Sequence, residues 1–140
     1  MTLALNGRPM ACNGARTDSE PPRSRVLLLE DEPFVATAAT MILEDAGYSV
    51  SVLPSCQQAL AAFEQAPSKF DIAIVDQRLG DGSGVDVAHR MRALRPDLPI
   101  LLCSGHISGD LLATCERHGM KALAKPFDVD DLLAAVAALR

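Results

Sequence analysis

Short apolar runs punctuate the chain at Arg25 to Leu29, Phe70 to Val75 and Ile100 to Cys103. Runs of this length without polar alternation suit strands buried on both faces of a parallel sheet. Tyr48 to Leu53, which partly alternates, and Lys121 to Ala124 are a fourth and a fifth strand candidate. Between them apolar residues recur at helical spacing. Val35, Ala38, Ala39, Ile42 and Leu43 form one stripe with Gly47 as its stop, and Cys56, Ala59, Leu60 and Phe63 form a second with Ser55 as N-cap. Val87, Ala88, Met91 and Leu94 precede Pro96, residues 108 to 118 carry a weaker pattern, and Val129, Leu132, Leu133, Val136 and Leu139 follow Asp128 as N-cap. Five strand–helix units in strict alternation predict an α/β domain with a parallel sheet and right-handed crossovers.

The first 24 residues carry Gly, Pro, Asn and Ser without periodicity and read as a disordered tail, so the organisation expected is 1–24 tail and 25–140 domain. With 140 residues, 49% of them apolar, the chain can build one core. The pattern stops at the fifth helix, which suggests a stand-alone unit without an output domain. The net charge of −5 and the lack of a basic stripe argue against nucleic acid as a partner. No apolar stretch reaches the length of a signal peptide or a membrane span, so a cytoplasmic protein is expected. Cys12, Cys56, Cys103 and Cys115 show no CxxC spacing, and three of them fall in helix or strand patterns, where a free thiol behaves as a small apolar side chain.

The chemistry gathers where open α/β sheets place it, at the carboxyl ends of the strands. Glu30, Asp31 and Glu32 follow the first strand, Asp76 the third, Ser104 the fourth, and Lys125-Pro126 the fifth. Converging carboxylates repel one another unless a cation sits among them, and hard oxygen ligands suit Mg2+. A lysine offers a counter-charge for a phosphoryl group, and a serine a hydrogen bond to it. Each residue taken alone has a plainer reading: Glu30 and Asp31 as acids favoured at a helix amino end, Asp76 as a loop acid, Ser104 as a turn residue, Lys125 as a solvated cation. Their joint occurrence at consecutive strand ends favours the phosphoryl-transfer reading.

Leu28-Leu29-Glu30-Asp31-Glu32, Ile74-Val75-Asp76 with a glycine-rich loop to Gly84, Leu102-Cys103-Ser104-Gly105 and Lys125-Pro126-Phe127 together resemble the response-regulator receiver family of two-component signalling. The spacings of 45, 28 and 21 residues between Asp31, Asp76, Ser104 and Lys125 match that family as well. The resemblance covers residues 25 to 140. It implies a flavodoxin-like, doubly wound (βα)5 fold with strand order 2-1-3-4-5. It also implies Asp76 as the acceptor of a phosphoryl group from a histidine kinase or a histidine phosphotransfer protein. Mg2+ would be held by Glu30 (through water), Asp31, Asp76 and the backbone carbonyl of Arg78, with Lys125 and Ser104 answering the phosphoryl group. Such a protein is a phosphoacceptor switch rather than a metabolic enzyme. It signals by changing which downstream protein it binds, through the face of the fourth helix, fifth strand and fifth helix, a face that also suits a homodimer.

Three departures bear on that expectation. Gly80 stands where the family has proline, in a loop with Gly82 and Gly84 that should be more mobile for it. Arg78 sets a long cation beside the acceptor. Ala122 occupies the place of an aromatic residue coupled to the serine switch. His106 reads as a surface-loop histidine. Among competing readings, a flavin domain of the same sheet order wants a phosphate loop that Glu30-Asp31-Glu32-Pro33 opposes electrostatically. A pseudo-receiver working without phosphorylation would have no need of the clustered acids, and a hydrolase using Asp76 and Ser104 lacks an evident base.

Overall fold

The computed structural model describes residues 24–139, so the expected tail lies outside the described residues but for Ser24. Five parallel strands, β1 (Arg25–Leu29), β2 (Ser49–Leu53), β3 (Ile72–Asp76), β4 (Ile100–Ser104) and β5 (Lys121–Ala124), line up in the order β2-β1-β3-β4-β5. Helices α1 (Pro33–Asp45), α2 (Cys56–Gln65), α3 (Gly84–Leu94), α4 (Gly109–His118) and α5 (Val129–Ala137) alternate with them. This is the expected doubly wound α/β fold.

Burial explains which strands were plain in the sequence. All of β3 and β4 is buried, and all of β1 beyond Arg25, so these strands are apolar up to Asp76 and Ser104, the last residues of β3 and β4. At the sheet edges β2 and β5 are only half covered, hence their weaker patterns. Phe70 is buried but lies outside β3, because Pro67–Lys69 forms a 3₁₀ turn and the strand starts at Ile72.

Successive residues of each central strand serve two cores. Leu27, Leu29, Val75 and Leu102 meet Phe63 of α2, Met91 of α3 and Leu111 of α4 on one face. Val26, Leu28, Ile74 and Leu101 meet Leu43 of α1 and Leu132 and Val136 of α5 on the other. Leu27 is fully buried, and trimming such a side chain to alanine costs about 2–5 kcal/mol.

The caps fall largely as read. Ser55 Oγ accepts from the Gln58 amide, and Asp128 forms a capping box with Asp131. Gly47 follows α1 at a φ of +100°, a conformation a side chain would strain. The stripe of α1 is rotated from the expected one. Ala36, Ala39 and Leu43 face the core, whereas Val35 and Ile42 are half-buried and Ala38 is exposed. Leu94 and Val129, expected to face inward, are about half exposed. Cys56, Cys103 and Cys115 are free and buried, with burial pushing the Cys103 thiol up to about 12; Cys12 lies outside the described residues.

Register now fixes the functional edge. Leu29 stands opposite Val75, so Glu30 follows β1 level with Asp76. Asp76 stands opposite Cys103 and Ser104 opposite Ala124, which brings Lys125 to the same edge.

Candidate functional site: an acidic cleft with one lysine

Glu30, Asp76 and Ser104 are the buried polar side chains among the described residues, at 5%, 7% and 4% exposure. Asp31 is exposed beside them. Carboxylate oxygens of Glu30, Asp31 and Asp76 all lie within 4.8 Å of one another. The Lys125 ammonium reaches between two of these acids, 2.7 Å from Glu30 Oε1 and 3.2 Å from Asp76 Oδ1. Three carboxylates against one ammonium leave an excess of negative charge in a partly desolvated place. That donor set fits a hard divalent cation with several oxygen ligands.

The electrostatics of the two charged partners run in the same sense for different reasons. Burial raises the Glu30 carboxyl above its ordinary value, against the lowering effect of its bonds with Lys125 and the Glu32 amide. For Lys125 burial lowers the value, but the hydrogen bonds to Glu30 and Asp76 outweigh it and the net shift is upward. The lysine is therefore held as a cation at neutral pH.

Asp76, Arg78, Ser104, Gly105, His106 and Lys125 line a cleft of ≈ 370 Å³. Ser104 does not face that cleft freely. Its hydroxyl donates to the His106 carbonyl at 2.9 Å and accepts from the His106 amide at 3.1 Å, closing a small loop on itself. His106 thus joins the site through its backbone, a role its sequence position did not reveal.

The loop after Asp76 is shaped by close packing. A Cβ on Gly84 would lie 2.9 Å from Val75 Cγ1 and overlap the Asp76 carbonyl oxygen, so only glycine lets α3 start this near Asp76. Arg78–Leu79 pairs with Gly82–Ser83 as a two-residue antiparallel ribbon. The Gly80 amide donates to Asp31 Oδ2 at 3.1 Å, and the Gln77 side chain accepts from the Val85 amide at 3.0 Å. The glycine-rich segment is therefore attached to its surroundings at several points. Ala122 is half-buried against the core, and no ring lies at that place.

The doubly wound sheet thus carries an acid triad, a lysine and a serine together at its carboxyl edge. The chain matches the family model for the response regulator receiver domain over residues 26–137, and it belongs to that family. It is 30% identical to the acid tolerance regulatory protein ActR of Sinorhizobium medicae, over 89% of this chain and 63% of that protein. It is 33% identical to the alginate biosynthesis transcriptional regulatory protein AlgB of Pseudomonas aeruginosa, over 82% of this chain and 25% of that one. The chain thus spans less than two thirds of these relatives. Among solved structures it resembles the non-phosphorylated HemR receiver domain of Leptospira biflexa, with 26% identity, a TM-score of 0.76, and 84% of this chain and 94% of that one covered. Receiver domains bind Mg2+ at an acidic pocket and interact with histidine kinases and phosphotransfer proteins. Among the described residues no helix is long and apolar enough to cross a membrane.

Proposed function

We propose that this receiver takes a phosphoryl group from the phosphohistidine of a histidine kinase or histidine phosphotransfer protein onto Asp76. The observation that carries the reading is the position of the Asp76 carboxylate, 3.2 Å from the Lys125 ammonium and within 4.8 Å of the Glu30 and Asp31 oxygens. An Asp76 oxygen forms the new O–P bond as the N–P bond of the phosphohistidine breaks, and the imidazole leaves with its electron pair. Lys125 meets the negative charge on the transferring oxygens. Asp31, Asp76 and the Arg78 carbonyl would hold Mg2+ directly and Glu30 through water. When bound, that ion supplies the remaining charge neutralisation.

Switching follows from Ser104. To bond the phosphoryl group its hydroxyl must give up the donor bond to His106, so the 104–106 loop has to rearrange. Ser108, the N-cap of α4, lies two residues further on, which carries the change toward the face of α4, β5 and α5. On this reading a cytoplasmic switch passes its signal by exchanging a downstream protein or a second copy of itself at that face.

The test is Mg2+-dependent phosphotransfer, or beryllofluoride binding, with the wild type and Asp76→Ala. Both signals should vanish in the variant and on removal of Mg2+. A label persisting on serine or threonine in Asp76→Ala would overturn the assignment.

A further inference from the structure

The segment from Gln77 to Gly84 has three glycines and no proline, and its two-residue ribbon is too short to hold itself together. Its shape must come from outside. The Asp81 carboxylate reaches across 25 residues to the amino end of α2, where Oδ1 accepts from the Cys56 amide at 2.9 Å and Oδ2 from the Gln57 amide at 3.1 Å. These are free donors of a first helical turn, and an anion is favoured there. The same two bonds hold the Asp81 carboxyl below its ordinary value.

Helix α2 already has a local cap, because Ser55 Oγ accepts from the Gln58 amide at 3.1 Å. The second, remote cap therefore does more for the loop than for the helix. On either side of Asp81 the loop is in contact as well. Gly80 donates to Asp31, and a Cβ on Gly82 would stand 3.2 Å from Cys56 Sγ, so the chain passes close under that thiol.

We propose that Asp81 is a positioning residue for the acidic cleft: its two bonds to α2 hold the loop that presents the Arg78 carbonyl and steadies Asp31. The inference rests on the reading of the cleft as a Mg2+ and phosphoryl site. Without the tether, glycine-flanked residues 77 to 83 sample many conformations, and metal binding must order them at its own expense.

The experiment is Mg2+ titration by calorimetry, with urea denaturation of the same proteins. In Asp81→Ala the Mg2+ dissociation constant should rise about fivefold to tenfold, as the loss of two charge-assisted bonds implies. Asp81→Asn keeps one acceptor oxygen and turns an amide NH2 toward the second backbone N–H, so its Mg2+ affinity should fall between those of Asp81→Ala and the wild type, or match Asp81→Ala. Ser55→Ala removes the local cap, so its urea midpoint should fall while Mg2+ affinity stays unchanged. Unchanged affinity in Asp81→Ala overturns the proposal, as does a loss in Ser55→Ala equal to that in Asp81→Ala, which would mean that helix stability alone matters. A wild type that binds no Mg2+ would instead sink the underlying reading of the cleft.

Discussion

Replacing Gly84 by alanine adds one methyl group at a tight point beside Asp76. That methyl carbon would overlap the Asp76 carbonyl oxygen and lie 3.0 Å from its carbonyl carbon and 2.9 Å from Val75 Cγ1. Backbone atoms cannot rotate out of the way as the end of a long side chain can, and Asp76 is fixed in a strand paired on both sides. Relief has to come from moving α3 or bending β3. Overpacking of this kind costs about 1–3 kcal/mol, and the backbone contact places Gly84→Ala near the top of that range, at about 3 kcal/mol. For a domain of this size the thermal midpoint should then fall by about 12 °C, at about 4 °C per kcal/mol. Gly109→Ala is the comparison. Gly109 opens α4 with nothing within 4 Å of an added Cβ, so the substitution should be neutral or stabilise by up to about 1 kcal/mol. Calorimetric melting of both variants checks the pair. A fall of less than about 3 °C in Gly84→Ala, well under the ~12 °C expected, would refute the claim that α3 is seated against the Asp76 backbone.

The remaining predictions concern charge, the α3–α4 join and the switch. Because the Glu30 carboxyl is raised in the fold, its contribution to stability is full below the ordinary value of 4.5 and lost as pH rises through the folded value. Urea midpoints of the metal-free protein should therefore fall across that window less steeply in Glu30→Gln, and identical slopes would contradict it. Arg92 donates from one guanidinium to the carbonyls of Leu98, His118 and Gly119, so Arg92→Ala should lose about 1–3 kcal/mol in urea denaturation. Hydrogen exchange with and without beryllofluoride should differ chiefly within residues 104 to 127; changes confined to α1 and α2 would refute the assigned signalling face.

The central sheet and the chemistry at its edge were readable because both depend on local rules. A strand buried on both faces has to be apolar, and the residue after it is delivered to the carboxyl edge whatever the tertiary details. That is how Glu30, Asp76, Ser104 and Lys125 could be named from one-dimensional positions. Their partnerships could not. The Lys125–Glu30 bond spans 95 residues and the Asp81 tether 25, and neither has a periodic signature. An aspartate between two glycines looks like an ordinary turn residue. Helix α1 misled for another reason: it has apolar residues on more than one face, with Phe34 and Met41 at 86% and 66% exposure, so the spacing alone did not say which stripe turns inward. The bond of Ser104 to its own loop was equally hidden, since a serine followed by glycine is compatible with either a free or an engaged hydroxyl.

The grip of Arg92 on the carbonyls around the end of α4 makes that helix a lever with its fulcrum far from the cleft. Its far end is pinned to α3, while its near end starts at Ser108, close to the loop that Ser104 closes on itself. Ten residues span about 15 Å, so a tilt of about 10° about the pinned end would carry the near end through roughly 2.6 Å. Any such tilt would be largest at the amino turn of α4, where Asp110 and the half-exposed Leu112 reach solvent, and would die away toward His118. A partner reading that turn would sense the amplitude of the stroke, whereas one seated near His118 would meet almost the same surface in either state.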